Sequence, residues 1–538
     1  MLEKQLSKVD GQCFDVVVVG GGAAGASAAQ NLIAQGYKVL LVEKGDFASG
    51  TSSRSSRLLY CGLAHLSPDH PVWQFALRPG DLMRRLHMAR LAMKSRTQLV
   101  TTMPERLSKH DFLFPVYRGG QYPGWKVDLG FRLLELLGCS DVRLDYRRFP
   151  ARDAARRYGM AKYLADNPEL ESVGAYTEYQ YHWAERICLD TILDAEDMGA
   201  VVLNYARASH LQLQADRSWK IDLEDSLDAS VRASVYGRML VNTAGPWVDR
   251  VLALSGTPPD KKHLIGIKGV NLMVKLPPEC RGQGLETISS IGQPYYCMPW
   301  GDHHFLGPTD TVFEGDPGDA RVTAEEVEYV LREANHLFPS IGLSEKDIVH
   351  RWCGIRPRTA AQGEKDIVKL LSIHELEPEG FPNAIAVTGM PIMNHRYAGE
   401  KIAERVGRTL QPSQPGKRLS HAARLFPAPS QPAPLADAYP AVDMSHLSHA
   451  ARREHVRELA DLMFRRVGLG WEPSMGLDVV RRVAGAIAPE MGWSEAQTAD
   501  QVRRYESFVQ DNFGPVRAGA GAKEAAMAAT GTDFHSQR

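Results

Sequence analysis

Three groups of residues in this sequence could do chemistry. The first is a glycine-rich turn: Gly20, Gly22 and Gly25 fall as G-x-G-x-x-G between the apolar run Asp15–Val19 and a small-residue stretch opening at Ala23 and Ala24. The first glycine permits a tight turn, the second lets the backbone approach a pyrophosphate, and the third lets a helix sit close on a sheet. Unpaired N–H groups at the start of that helix would face the phosphates. Glu43 ends the next apolar run, 18 residues past Gly25, where an acid can accept a ribose hydroxyl. The second group is the hydroxyl-rich loop Lys44–Arg57, with Thr51, Ser52, Ser53, Ser55 and Ser56. The third is Arg356, between Gly354 and Pro357, a permanent cation whose forked donors suit a phosphate or a carboxylate.

These groups need a scaffold of buried strands. The runs at Asp15, Tyr37, Val201 and Met239 are short and rich in valine and leucine, the pattern of strands buried in a parallel sheet. Val241–Gly245 reads as a strand ending in small residues, so the backbone at Ala244 and Gly245 can pass close to a dinucleotide. Between Val231 and Pro308, with Asn271–Leu276 and Tyr295–Trp300, strands dominate and predict a second, mainly antiparallel sheet. Residues 411–447 hold seven prolines and read as a linker or an extended crossing segment. Helical spacing returns at Glu454–Val467, Leu477–Ile487 and Ser494–Val509.

Composition narrows the field. A chain of 538 residues with 44% hydrophobic and 24% charged residues predicts a globular protein of two or three folding units. The net charge of −1 supplies no bulk attraction for nucleic acid or an anionic membrane. The seven cysteines include no C-x-x-C pair, which argues against a disulfide framework or a structural zinc site, and no metal is expected. The polar start, Met1–Phe14, predicts a cytoplasmic protein, and no apolar stretch reaches the ~20 residues that span a bilayer. Peripheral contact with the inner face of a membrane stays open, as does a homodimer.

The loop decides between two dinucleotides. Hydroxyls so soon after Glu43 can turn back toward the pyrophosphate and the reactive ring, which suits a resident FAD. Nicotinamide enzymes release their cofactor between turnovers and have no need of such a loop. The run from Glu43 to Leu63 resembles the segment after the fingerprint in FAD-dependent glycerol-3-phosphate dehydrogenases. Similar stretches follow in the same order: Val241-N-T-A-G-P-Trp247, Ile267-K-Gly269, Met298-P-Trp300, Gly307-P-T-Asp310, Gly315-D-Pro317 and Gly354-I-R-Pro357. The terminal helices resemble that family's cap. The resemblance implies an α/β protein: a Rossmann-like FAD-binding domain over 15–410, after an N-terminal extension at 1–14. An antiparallel-sheet substrate domain would be inserted at about 85–180 and 250–350, with a helical cap at 448–516 and a disordered tail at 517–538. It further implies hydride transfer from a secondary alcohol to the flavin, with electrons passing to a quinone or another acceptor. Ala208, Gly389 and Asn394 join the expected cofactor contacts.

The departures from the family fall where it binds substrate. Its H-G-G-L-R-Y-L loop is here Tyr60–Leu66, its K-G-S-H strand is Lys268–Asn271, and its F-G-G-K-L-T-T-Y-R turn is Thr388–Arg396. An arginine, a histidine and a lysine are thereby replaced by Ala64, Asn271 and Pro391. His395 is the expected base, since an imidazole titrating near 6.5 can take a hydroxyl proton. Tyr60 and Asn271 are expected to hydrogen-bond the reacting alcohol, and Arg356, Arg396 and Lys268 to hold the anion of glycerol 3-phosphate or a related polyol phosphate. An alternative is an oxidase or dehydrogenase of an unphosphorylated hydroxy acid or amine. A flavin-binding protein without turnover is the contrasting class.

Overall fold

The computed structural model describes residues 2–66, 77, 79–138, 141–257, 259–360, 371–429 and 431–515. Strand β1 (Cys13–Val19) lies at the centre of an eight-stranded sheet, flanked in parallel by Asp228–Asn242 and by β2 (Val39–Val42). Val201–Leu203 and Ala384–Thr388 extend the parallel order outward, and Ser372–Glu375 closes one edge antiparallel. The continuous valine run is explained by burial on both faces. Val16 and Val18 meet helix α2 (Ala23–Ala34) and its neighbours, while Val17 and Val19 pack into a separate cluster with Leu40 and Leu203. The Met239 run is the C-terminal half of a longer strand, Asp228–Asn242. Its first half instead pairs antiparallel with Trp219–Asp225.

The first residues correct the expected extension. Helix α1 (Leu2–Val9) buries Leu2, Leu6 and Val9, spaced for one helical face, in the cluster containing Phe14 and Val17. β1 accordingly begins at Cys13.

The second sheet has ten strands, all but one of its pairings antiparallel. It draws on 58–181 and on 264–359, so it begins earlier than the expected insertion. Strand Leu264–Val274 pairs along its length with Ile348–Thr359, and the alternation along both strands sorts their side chains onto two faces. One face presents Asn271 and Met273 beside Trp352 and Arg356; the other presents Lys268, Val270 and Leu272 toward helix Ala324–Leu337. Helices α3 (Pro79–Thr102) and α4 (Gly124–Leu137) cover the first face over Leu107–Tyr117 and Leu170–Tyr181, with Met93, Val127, Phe131 and Leu134 against Phe112 and Tyr176.

The C-terminal helices cover the same face further along, where Phe464, Trp471 and Phe513 meet Trp352 and Phe305. Glu454–Val467 is not one regular helix. Met444–Arg453 forms an α-helix, the chain breaks at Glu454, and Asp461–Arg466 winds as a π-helical turn. That turn points two adjacent arginines at one buried acid. Asp46 accepts from Arg465 and Arg466, and Arg465 also reaches Asp461 at 2.7 Å. Burial pushes Asp46 upward, but Arg466 and Arg465 outweigh it and hold the carboxyl below its ordinary value. The proline-rich stretch crosses the molecule in extended form, donating from Gln414 to Gly36 O and from Lys417 to Ala34 O. The tail at 517–538 lies outside the described residues.

Candidate functional site

The cofactor half is built on the turn between β1 and α2. Gly20 has φ +109°, and a Cβ there would stand 2.7 Å from Thr243 O. A Cβ on Gly25 would stand 1.8 Å from Gly20 O. Only glycine lets the turn, the helix and the Thr243–Gly245 segment close so tightly. Helix α2 starts without a side-chain cap from Gly22; Ala23 N donates to Ser52 Oγ at 3.1 Å. The other N–H groups of this first turn, including that of Ala24, are left for an anion. Glu43 accepts from Gly21 N at 2.7 Å and Gly45 N at 2.9 Å, and burial raises its pKa against those two donors. It therefore fixes the turn as well as facing the site. Ala244 and Gly245 lie beside Gly20, and Ala208 is buried in the cluster with Val42 and Leu203.

The serine-rich loop divides its hydroxyls. Ser52 stays at the helix start, while Thr51 Oγ1 donates to Ile355 O at 2.6 Å and Ser53 Oγ to Ala48 O at 2.7 Å. The side chains of Thr51 and Ser53, expected on the cofactor, thus shape the loop. Lys44 lays its ammonium over the Trp247 ring at 3.7 Å. Arg54 ties the loop to Cys353 O and, at 3.1 Å, to Asn512 in the last helix. A Cβ on Gly354 would stand 2.5 Å from Arg54 Cβ, so the glycine before Arg356 is what lets this loop lie on the sheet. Cofactor loop, substrate sheet and C-terminal helices meet at that point.

The residues present fit FAD. Asn394 is 1% exposed, and neither its amide oxygen nor its amide nitrogen has a partner among the described residues. Such a group costs about 1–3 kcal/mol when left unmade. It sits at the turn after Gly389, whose N–H donates to Pro357 O, beside the strand of Arg356. A flavin edge, with its carbonyls and ring N–H, is chemistry that would satisfy it.

On the sheet, Arg356 Nη2 donates to Thr309 O at 3.0 Å and Asp310 Oδ1 at 2.7 Å. Its side chain is 50% exposed. Burial and then Glu286 raise the Tyr296 phenol above its ordinary value, and Arg356 is near enough to oppose that rise in part. Asn271 lies on the same face, 3% exposed. Tyr60 runs over this face with its ring edge against His65, and its phenol is raised well above the ordinary range by burial and by Glu286. Tyr60 and Tyr296 are both partly buried on this face.

Three expected residues are directed elsewhere. Lys268 points to the opposite face, where it pairs with Glu326 at 3.2 Å and donates to Arg321 O. The strand alternation that brings Asn271 to the site carries Lys268 away from it. Arg396 donates to Thr102 Oγ1, Gln98 O and His421 O under α3 and the crossing segment, so three of its donors are already spent there. His395 is 2% exposed, bonds Ile392 O through Nδ1, and is driven down to about 3 by burial and by Arg396. A base poised near neutrality is not what this imidazole offers. Tyr296, Glu286 and Asp310 were missed; the G-P-T-D turn after a strand was the one signal for Asp310.

A glycine-rich strand–turn–helix cradle joined to an antiparallel sheet that carries Arg356 defines a dinucleotide-dependent oxidoreductase of two-sheet architecture. The chain belongs to the FAD dependent oxidoreductase family, whose model matches residues 15–405, and FAD is its cofactor. Residues 413–498 match the C-terminal domain of alpha-glycerophosphate oxidase. The glycerol-3-phosphate dehydrogenase of Synechocystis sp. is 26% identical, covering 95% of this chain and 99% of its own. The aerobic glycerol-3-phosphate dehydrogenase of Bacillus subtilis is 27% identical, over 75% of this chain and 68% of its own. Among solved structures, the glycerol-3-phosphate dehydrogenase from Bacillus halodurans, complexed with FAD, superposes with a TM-score of 0.70 at 20% identity, covering 95% of this chain and 97% of that one.

Proposed function

We propose that this protein oxidises the secondary alcohol of glycerol 3-phosphate, or of a closely related polyol phosphate, to the ketone. One observation carries this reading: among the described residues, Arg356 keeps three of its five N–H donors uncommitted, on the face where Asn271 and Tyr60 also lie. Bound on the cradle of Gly20–Gly25, with Asn394 at the ring, FAD supplies the hydride acceptor. Arg356 holds the phosphate, and Asp310 holds Arg356. Asn271 and Tyr60 orient the alcohol through hydrogen bonds. Trp352, Trp471 and Phe513 exclude water from above the sheet.

Electrons leave to a quinone or another acceptor. Among the described residues no helix is long and apolar enough to cross a membrane. Peripheral contact is best supported on α3 and α4, where Met83, Trp125, Leu129 and Leu136 are exposed beside Lys126 and Arg132. The deciding experiment for the substrate is anaerobic reduction of the bound flavin by a panel of glycerol 3-phosphate, tetritol phosphates, glycerol, 2-hydroxy acids and amines. Bleaching by the phosphates alone is expected. Bleaching by hydroxy acids or amines instead would refute the reading.

A further inference from the structure

The sheet face that carries Arg356 continues, beyond Tyr296, to an acid the reaction above does not use. Glu286 stands directly opposite Tyr296 on the neighbouring strand, and Tyr296 stands opposite Gly307. Gly307 has no side chain, and a Cβ there would come 3.1 Å from Asn271 Oδ1. One row across the sheet therefore runs from Glu286 through Tyr296 and an empty position to Asn271. Glu286 is 5% exposed. Its Oε2 accepts from Tyr176 Oη at 2.7 Å, and no other described side chain bonds it. Burial raises its pKa to about 7, with Tyr176 opposing and the Glu178 charge adding to the rise. The neighbouring cation is spent: Arg96 pairs with Glu178 at 2.6 Å and donates to Val142 O and Thr177 O.

This end of the row cannot take an anion. Two carboxyls and three phenols surround it, and Arg96 is committed to Glu178. A phosphate placed there would meet like charge without compensation, whereas a hydroxyl can donate to a carboxylate or pair with a carboxylic acid. Oε1 of Glu286 accepts from no described donor and is open to such a partner.

We propose that Glu286 is a specificity-determining residue that receives a hydroxyl on the uncharged end of the substrate, while Arg356 takes the anionic end. The assignment rests on the polyol-phosphate reading and adds its polarity. A substrate lacking that hydroxyl leaves Glu286 Oε1 without a donor and is discriminated against by ~10- to 100-fold.

The test uses the FAD-loaded protein under anaerobic conditions. Flavin reduction by glycerol 3-phosphate is compared with reduction by propane-1,2-diol 1-phosphate, which keeps the secondary alcohol and the phosphate but lacks the terminal hydroxyl. A second readout is the rise in melting temperature with each corresponding ketone, which needs no turnover. The wild type prefers the compound with the terminal hydroxyl in both readouts. Glu286→Leu brings the preference to within ~3-fold of none, and Glu286→Gln, which keeps a hydrogen-bonding group, retains most of it. If Glu286→Leu loses its flavin, Glu286→Ala is read in the same way. An undiminished preference in a flavin-loaded Leu or Ala variant overturns the proposal, as does equal reduction of the wild type by both compounds. A wild-type flavin that stays oxidised with both, with neither ketone shifting the melting temperature, overturns the underlying reading as well.

Discussion

Changing Arg356 to lysine keeps the charge and removes the fork. Nη2 is already engaged with Thr309 O at 3.0 Å and Asp310 Oδ1 at 2.7 Å, so Nη1 and Nε, on separate edges of the guanidinium, remain to donate to a phosphate. A lysine would satisfy Asp310 from the same nitrogen that must reach the anion. At least one charge-assisted hydrogen bond is then lost, about 1.5–3 kcal/mol, which corresponds to ~12- to 160-fold in kcat/KM. The side chain is 50% exposed, so solvent screening places the expected loss in the lower half of that range. Flavin content should not change, because the loop is held by Ile355 O and Cys353 O, backbone groups the substitution leaves in place. Stopped-flow reduction of the purified variant at a series of glycerol 3-phosphate concentrations measures the effect directly. Rates equal to wild type at every concentration would refute the substrate role and leave Arg356 a prop for the Thr309–Asp310 turn. In that case only the melting temperature would fall.

Three further outcomes follow from the geometry. Gly22→Val adds bulk where a Cβ already stands 3.2 Å from Ser52 Oγ, at the helix start that faces the phosphates; the variant should purify colourless, and full flavin occupancy would sink the assignment. Asp46→Asn leaves two buried arginines short of a counter-charge at a cost of about 3–5 kcal/mol, read as a lower melting temperature and faster proteolysis within 411–443; unchanged stability would show that the latch contributes nothing. His350 is held down to about 4 by burial, and neither of its ring nitrogens has a partner among the described residues. Its folded pKa lies below the unfolded value, so its stabilising contribution is present above the unfolded pKa and lost as pH falls from about 6.5 toward 4. His350→Phe should flatten the melting-temperature profile in that window, by up to ~1.4 kcal/mol per pH unit, and an unaltered profile would contradict it.

How much of this could be read in advance depends on the range of the interaction. The cradle was legible because its geometry is local. The turn glycines, the small helix start and Glu43 all lie within 24 residues, and chain stereochemistry alone dictates what such a pattern can do. The parallel sheet was legible for a similar reason, since a valine run without polar alternation must be covered on both faces. Asn394 came from resemblance, and its orphaned amide is where the fold supplies an independent reason for it.

The substrate half is different, because it depends on which way a side chain points. Lys268 and Asn271 are three residues apart on one strand, and period-two alternation sends them to opposite faces; the sequence determines that they differ, but not which faces the cofactor. His395 and Arg396 are adjacent to a predicted site, yet a helix start turns both into the interior, where His395 bonds the carbonyl of Ile392 and Arg396 donates to carbonyls of distant segments. Glu286, Tyr296 and Arg356 come from three different strands and acquire meaning only when sheet pairing sets them on one face. By itself, then, the sequence determined the fold class, the cofactor and the tight glycine turn, because these rest on contacts between near neighbours in the chain. Only the tertiary structure decided which polar groups share a face of the sheet, because register and strand order lie between residues tens to hundreds of positions apart.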